Sequence, residues 1–114
     1  MNPTPGFTNT QELNIKDYIN VLAKYSLHQN FPNPFNPTTT LRYDLPEQGH
    51  VRITIYDMLG RTINTIVNEV QDAGYQSMIW DATNDYGKPV SAGIYLYQIR
   101  AGEYMQTKKM VLLK

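Results

Sequence analysis

Residues 94–113 read Ile-Tyr-Leu-Tyr-Gln-Ile-Arg-Ala-Gly-Glu-Tyr-Met-Gln-Thr-Lys-Lys-Met-Val-Leu-Leu. They make two long runs, Ile94 to Arg100 and Tyr104 to Leu113, interrupted only at Ala101-Gly102-Glu103. A short glycine-containing break between runs rich in aromatic and β-branched residues predicts a β-hairpin. Tyr95 and Tyr97 fall on one face of the first run, where aromatics on a central strand fill a core or its rim. Lys108, Lys109 and Lys114 cluster on the second run and at its end. Lysines on an edge strand discourage edge-to-edge aggregation.

The same period of two extends upstream. Thr39, Leu41, Tyr43 and Leu45 alternate with Thr38, Thr40, Arg42 and Asp44, and Pro46 and Gly49 close that run. Val51, Ile53 and Ile55 form the inward row of the next, ending in an Asp57-Met-Leu-Gly60 turn. A third run covers Arg61 to Val67, and Asp72-Ala-Gly74 turns again. From Gly74 to Asp81, Met78 and Trp80 share one face and Tyr75, Ser77 and Ile79 the other, followed by a polar hairpin loop from Asp81 to Gly87. About seven strands, with a turn signal every ~10 residues, predict an all-β, immunoglobulin-like antiparallel β-sandwich. Two facing sheets let the apolar rows meet in one core, with Trp80 at its centre.

The beginning of the chain is different. Residues 1 to about 10 are rich in Asn, Pro, Gly and Thr and read as a disordered leader. Ile15, Tyr18, Ile19, Leu22 and Tyr25 recur at helical spacing, with Asn14 as N-cap, so 1–24 is a linker with a possible short helix and 25–114 the sandwich. Tyr25, Leu27, Gln29 and Phe31 alternate until Pro32, Pro34 and Pro37 forbid a continuous ladder. That segment should run extended and lay Phe31 and Phe35 against a sheet.

Composition bounds the function. A chain of 114 residues has room for one domain, burying roughly 65% of the surface that its unfolded form exposes. Ten Lys plus Arg balance ten Asp plus Glu. Zero net charge argues against a nucleic-acid partner, whose phosphates demand an excess of cations. Without cysteine there is no disulfide, thiolate nucleophile or zinc-thiolate site. No apolar run reaches the ~18 residues of a membrane span, and the N-terminus lacks the layout of a signal peptide.

Catalytic signatures are not found. His28 and His50 flank strands without a second ligand at metal spacing, and no Gly-x-Ser-x-Gly elbow, His-Glu-x-x-His helix or phosphate-cradling glycine loop occurs. No cofactor or metal is implied, and an enzyme is not expected. Asp81, Asn84 and Asp85 could offer oxygens to calcium, but their spacing is not that of an EF-hand loop. Such residues also favour turns by bonding their own backbone, which is the expected role here. Trp80, Tyr95 and Tyr97 could form a sugar platform only if they lay outside the core.

One ordered set of motifs remains: Pro32-Asn-Pro-Phe-Asn-Pro-Thr-Thr39, Leu45-Pro46, Ile55-Tyr-Asp57 with Leu59-Gly60, Ala73-Gly74, Trp80-Asp81, Gly87, Gly93-Ile-Tyr95 and the closing Lys-Lys-Met-Val-Leu-Leu-Lys114. Together, over Tyr25 to Lys114, they resemble the C-terminal sorting domain of the type IX secretion system of the Bacteroidota. The resemblance implies an address label on a larger cargo. Recognised in the periplasm, it directs the cargo through an outer-membrane translocon to the medium or cell surface. A sortase-like peptidase commonly removes it. On this reading the partners are the type IX secretion machinery, that peptidase and an upstream cargo domain, whose precursor carries the signal peptide. By resemblance the sorting determinants fall on Pro34, Gly93, Tyr95, Lys109 and Lys114, and an exposed final strand would offer its edge for docking. The middle of the chain also resembles the immunoglobulin-like domain of the flagellar hook-capping protein. That resemblance accounts for neither the proline-rich opening nor the terminal strand. A structural, carbohydrate-binding or protein-binding module is the alternative function.

Overall fold

The computed structural model describes residues 24–113, so the leader and possible helix expected within 1–23, and Lys114, lie outside the described residues. Seven strands follow one another: β1 (Ser26–Leu27), β2 (Thr39–Leu45), β3 (Gly49–Asp57), β4 (Thr62–Gln71), β5 (Gly74–Trp80), β6 (Gly93–Ala101) and β7 (Tyr104–Leu112). They form two antiparallel sheets, one ordered β1-β2-β5 and the other β4-β3-β6-β7. The expected all-β, immunoglobulin-like sandwich is the observed fold.

Alternation builds the core. Thr39, Leu41, Tyr43 and Leu45 of β2 are buried, as are Val51, Ile53 and Ile55 of β3. Tyr95, Tyr97, Ile99 and Ala101 continue the row on β6, and Met110 and Leu112 complete it on β7. Removing these apolar surfaces from water supplies the main driving force for folding. Trp80 is the largest of the fully buried side chains. Phe35 packs on it at 5.9 Å between ring centroids and Tyr95 meets it edge-on at 5.5 Å. Its indole N–H donates to the carbonyl of Thr83, so its polar end is satisfied. Tyr95 and Tyr97 belong to the core, which removes them as a sugar platform.

The hairpin expected at Ala101-Gly102-Glu103 joins β6 to β7, with Ala101 opposite Tyr104. Gly102 holds φ +60 there, a conformation that glycine adopts without the steric cost of a Cβ. Four features differ from the sequence expectation. β4 continues to Gln71 rather than ending at Val67, because its partner β3 starts at Gly49 and keeps pairing with it. The Asp81–Gly87 segment folds back through a Thr83–Pro89 bridge but is no hairpin between paired strands; it carries the chain from one sheet to the other. The proline-rich segment bends at 32–34 and 36–37 instead of running extended, with cis bonds at Phe31–Pro32, Asn33–Pro34 and Asn36–Pro37. Phe35 is buried as expected, whereas Phe31 is 71% exposed. Phe31 bridges to Thr40, which alternates outward between the buried Thr39 and Leu41, so its ring stands on the solvent side.

Candidate functional site

The proline-rich segment does more than precede β2. From Gln29 to Phe35 it runs as a strap along the free edge of β7. The Gln29 side-chain amide donates to the Lys109 carbonyl at 2.8 Å, and Val111 N–H donates to Asn33 Oδ1 at 3.0 Å. Phe35 N–H then donates to the Val111 carbonyl and Leu113 N–H to the Phe35 carbonyl, a parallel bridge. At the other end of β7, Tyr25 stacks on Tyr104 with ring centroids 5.1 Å apart. Residues 25–35 thus touch both sheets, antiparallel to β2 and parallel to β7, and close one side of the sandwich. The final strand therefore does not present the open edge expected for docking, because the strap occupies Lys109 to Leu113.

Buried polar groups fix the strap. Asn30 is nearly inaccessible, yet every polar group of its side chain is engaged. Nδ2 donates to the carbonyl of Pro32 and to Thr39 Oγ1, and Oδ1 accepts from Gln29. Its backbone N–H donates to the Tyr97 hydroxyl, which in turn donates to the His28 carbonyl at 2.7 Å. Burial pushes the Tyr97 phenol up to about 12, despite the Asn30 N–H that favours its ionised form. In the sequence Asn33 stands out only as one asparagine of the Pro32–Thr39 motif, and Asn30 only as a polar residue two positions before it. No periodicity marks a side chain that bonds its neighbours' backbone, so their roles were not legible.

Four of the five residues to which the resemblance assigned sorting meet at this corner. Pro34 sits in the strap between Asn33 and Phe35. Gly93 pairs with Leu112 and Tyr95 with Met110, while Lys109 pairs with Leu96 and receives Gln29 on its carbonyl. Lys114 lies outside the described residues. Tyr95 is buried; its hydroxyl donates to the Ser91 carbonyl at 2.6 Å, and burial, then the Asp57 carboxylate, raise its pKa. Its contribution is to hold Trp80 and the start of β6. On the outer face Ile94 and Leu96 stand opposite Val111 and Lys109, with Leu113 exposed beyond them. A cleft of about 320 Å³ adjoins the corner, lined by Asn36, Pro37, Val90 and Leu112 among others.

The remaining candidate groups are occupied locally. Asp81 accepts from the Thr83 hydroxyl, Asn84 Oδ1 from the N–H groups of Tyr86 and Lys88, and Asp85 Oδ1 from Thr65 N–H. These oxygens shape the turn and cover the edge of β4. Among the described residues no three His, Cys, Asp or Glu side chains gather as a metal site. His28 pairs with Asp44 at 3.0 Å on the outer face of the smaller sheet. Asp57, opposite Tyr95, closes the β3–β4 turn. Its carboxylate accepts the N–H groups of Arg61 and Leu59 and the Arg61 guanidinium, and the Arg61 N–H first among these holds its pKa below the usual value.

The family model described as FlgD Ig-like domain matches residues 35–104. The chain belongs to the FlgD Ig-like domain family. The match stops short of most of β7 and begins at the last residue of the strap. Among solved structures, dimeric latent PorU from Porphyromonas gingivalis is similar to this FlgD Ig-like domain at 25% identity and TM-score 0.64, over 77% of this chain and 9% of PorU. PorZ, an essential surface component of the type IX secretion system of the same bacterium, matches at 17% identity and TM-score 0.54, over 78% of this chain and 12% of PorZ. FlgD from Xanthomonas campestris, studied for hook capping in flagellar assembly, matches at 17% and 0.55, over 85% of this chain and 72% of FlgD. The chain thus spans only a small part of PorU and PorZ. No curated protein matches it.

Proposed function

We propose that this immunoglobulin-like domain is a C-terminal sorting module that directs a larger cargo across the outer membrane by the type IX secretion system. The observation that carries the reading is the strap-to-β7 ladder, in which the Phe35 backbone bonds Val111 and Leu113 and Val111 N–H donates to Asn33 Oδ1. The proline-rich opening and the lysine-flanked final strand are the two motifs that the hook-capping resemblance leaves unexplained. Here they are halves of one corner. The likeness to PorU and to PorZ, a type IX surface component, supports the same context. Fold alone would not, since this sandwich hosts unrelated functions.

In this reading the domain is an address rather than a catalyst. It passes through the periplasm with its upstream cargo to the surface or medium, and the translocon and a sortase-like peptidase are its partners. Recognition uses the composite surface of Pro34, Gly93 and Lys109 with the apolar Ile94, Leu96 and Val111, and Lys114 adds a terminal charge. A strand-edge mechanism at Lys109–Leu113 would first require the strap to lift. The scaffold reading, favoured by the family match and by the 72% coverage of FlgD, is the second. The test is a secretion assay. Residues 25–114 are placed behind a signal peptide and a fluorescent reporter in a bacterium with the type IX system. Reporter at the surface or in the medium, held in the periplasm when residues 109–114 are deleted, is expected. Periplasmic retention of the intact fusion would overturn the sorting reading and leave the scaffold one.

A further inference from the structure

The sandwich has strand edges in unequal states. The edge of β7 carries the strap over Lys109 to Leu113. The edge of β4 is interrupted by two register shifts in its pairing with β3, and Asp85 takes the Thr65 N–H. Bulges, charges and coverings of this kind are how sheets avoid pairing with other chains. β5 has none of them. Its sequence, Gly-Tyr-Gln-Ser-Met-Ile-Trp, holds no charge and no proline, and its seven pairs with β2 run without a register shift.

The bonding pattern fixes which groups β5 leaves open. Thr40 exchanges backbone bonds with Phe31, and Arg42 accepts from His28, so the alternate residues Thr39, Leu41, Tyr43 and Leu45 turn their groups toward β5. Their partners on β5 are Trp80, Met78, Gln76 and Gly74. Tyr75, Ser77 and Ile79 consequently aim N–H and C=O away from the sheet. No described strand pairs with them. The side chains of Tyr75 and Ile79 are also 62% and 64% exposed.

We propose that this edge is a self-association surface whose occupant is β5 of a second copy of the chain. Ser77 lies midway between Tyr75 and Ile79, so antiparallel pairing about a two-fold axis at Ser77 sets each Tyr75 against Ile79 of the copy. Aromatic against β-branched is a favourable cross-strand pair. The three open residues fall together in the hydrogen-bonded positions: Ser77 with Ser77, and Tyr75 with Ile79 twice. Each pair exchanges two bonds, so three pairs give six, and no like charges meet. The result is one continuous sheet ordered β1-β2-β5-β5-β2-β1, an isologous interface closed at two copies. This inference is independent of the sorting reading.

The test uses the full chain in solution. Sedimentation velocity from about 1 to 500 μM should show a concentration-dependent monomer–dimer equilibrium. Ser77→Lys sets two cations face to face on an exposed position and should leave monomer throughout, with the melting temperature of dilute protein unchanged. Tyr75→Lys combined with Ile79→Glu places opposite charges in the same register and should retain the dimer. Because the chain has no cysteine, Ser77→Cys offers a direct geometric readout. Opposed residues in such a pair lie about 5.5 Å apart at Cα, within disulfide reach. Under mild oxidation Ser77→Cys should crosslink at least tenfold faster than Thr107→Cys on the β7 edge. Monomeric wild-type protein over the whole range, a dimer indifferent to Ser77→Lys, or equal crosslinking of the two cysteine variants would each overturn the proposal.

Discussion

Trp80 is held by contacts on three sides: Phe35 from the strap, Tyr95 from β6 and the Thr83 carbonyl at its nitrogen. Truncation to alanine opens a cavity and leaves that carbonyl only the Asn64 side-chain amide as donor, so Trp80→Ala should lower stability by ~3–5 kcal/mol; an unchanged melting temperature would contradict this account. Asn30 is a sharper case, because it is buried for its hydrogen bonds rather than for apolar area. Asn30→Ala leaves the Thr39 hydroxyl oxygen without its donor, the Gln29 amide with only the Lys109 carbonyl as acceptor, and the Pro32 carbonyl with only the Thr39 hydroxyl. A loss of ~1–3 kcal/mol in chemical denaturation is expected. Substituting the near-isosteric Asp, which removes the donor but keeps the volume, should cost at least as much. If volume mattered instead, Asp would be tolerated.

The strap and β7 stabilise each other unevenly along their length. Amide exchange should therefore divide the final strand, with Val111 and Leu113 protected through Asn33 and Phe35 while Met105 and Thr107, beyond the strap, exchange faster. Phe35→Ala, by releasing the strap, should erase that difference before it unfolds the sheets. The strands themselves were legible in the sequence. Period-two rows at Thr39 to Leu45 and Val51 to Ile55 report a face buried on one side only, and that is a local property. The strap was not legible, because its bonds link Asn33 and Phe35 to a strand near the other end of the chain, and prolines conceal any period. Phe31 misled for a related reason. An aromatic beside prolines reads as core, but its facing depends on the bridge to Thr40, a partner across the sheet. The Asp81–Gly87 loop has the composition of a hairpin turn, and nothing local reveals that the strands on either side lie in different sheets. The five residues proposed for sorting, Pro34, Gly93, Tyr95, Lys109 and Lys114, were named in the sequence through resemblance alone. The convergence of the first four at one corner came from pairing Gly93 with Leu112 and Tyr95 with Met110.

Considered together, the tyrosines predict how the folded protein responds to alkali. Tyr25, Tyr43, Tyr95, Tyr97 and Tyr104 all have raised pKa values, with burial the first cause in each. The unfolded chain gives up these protons near its ordinary value of 10.0 and the folded one later, at about 12 for Tyr97. Their contribution is complete below about pH 10 and is lost as pH rises toward about 12, by ~2–3 kcal/mol for Tyr97 alone. Urea titrations between pH 8 and 12 should show this fall, and Tyr97→Phe should flatten it while lowering stability at pH 8 by ~1–3 kcal/mol through the unpaired Asn30 N–H and His28 carbonyl. The parallel run of strap and β7 also has a mechanical meaning. Tension applied between the chain upstream of Tyr25 and the chain beyond Leu113 pulls the two segments along their own axes in opposite directions. The bonds from Gln29 to Lys109, from Asn33 and Phe35 to Val111, and from Leu113 to Phe35 are then loaded in shear and share the force. They would fail one at a time only if peeled from an end. A domain towed by its two ends is thereby clamped where a domain plucked from the side would unzip.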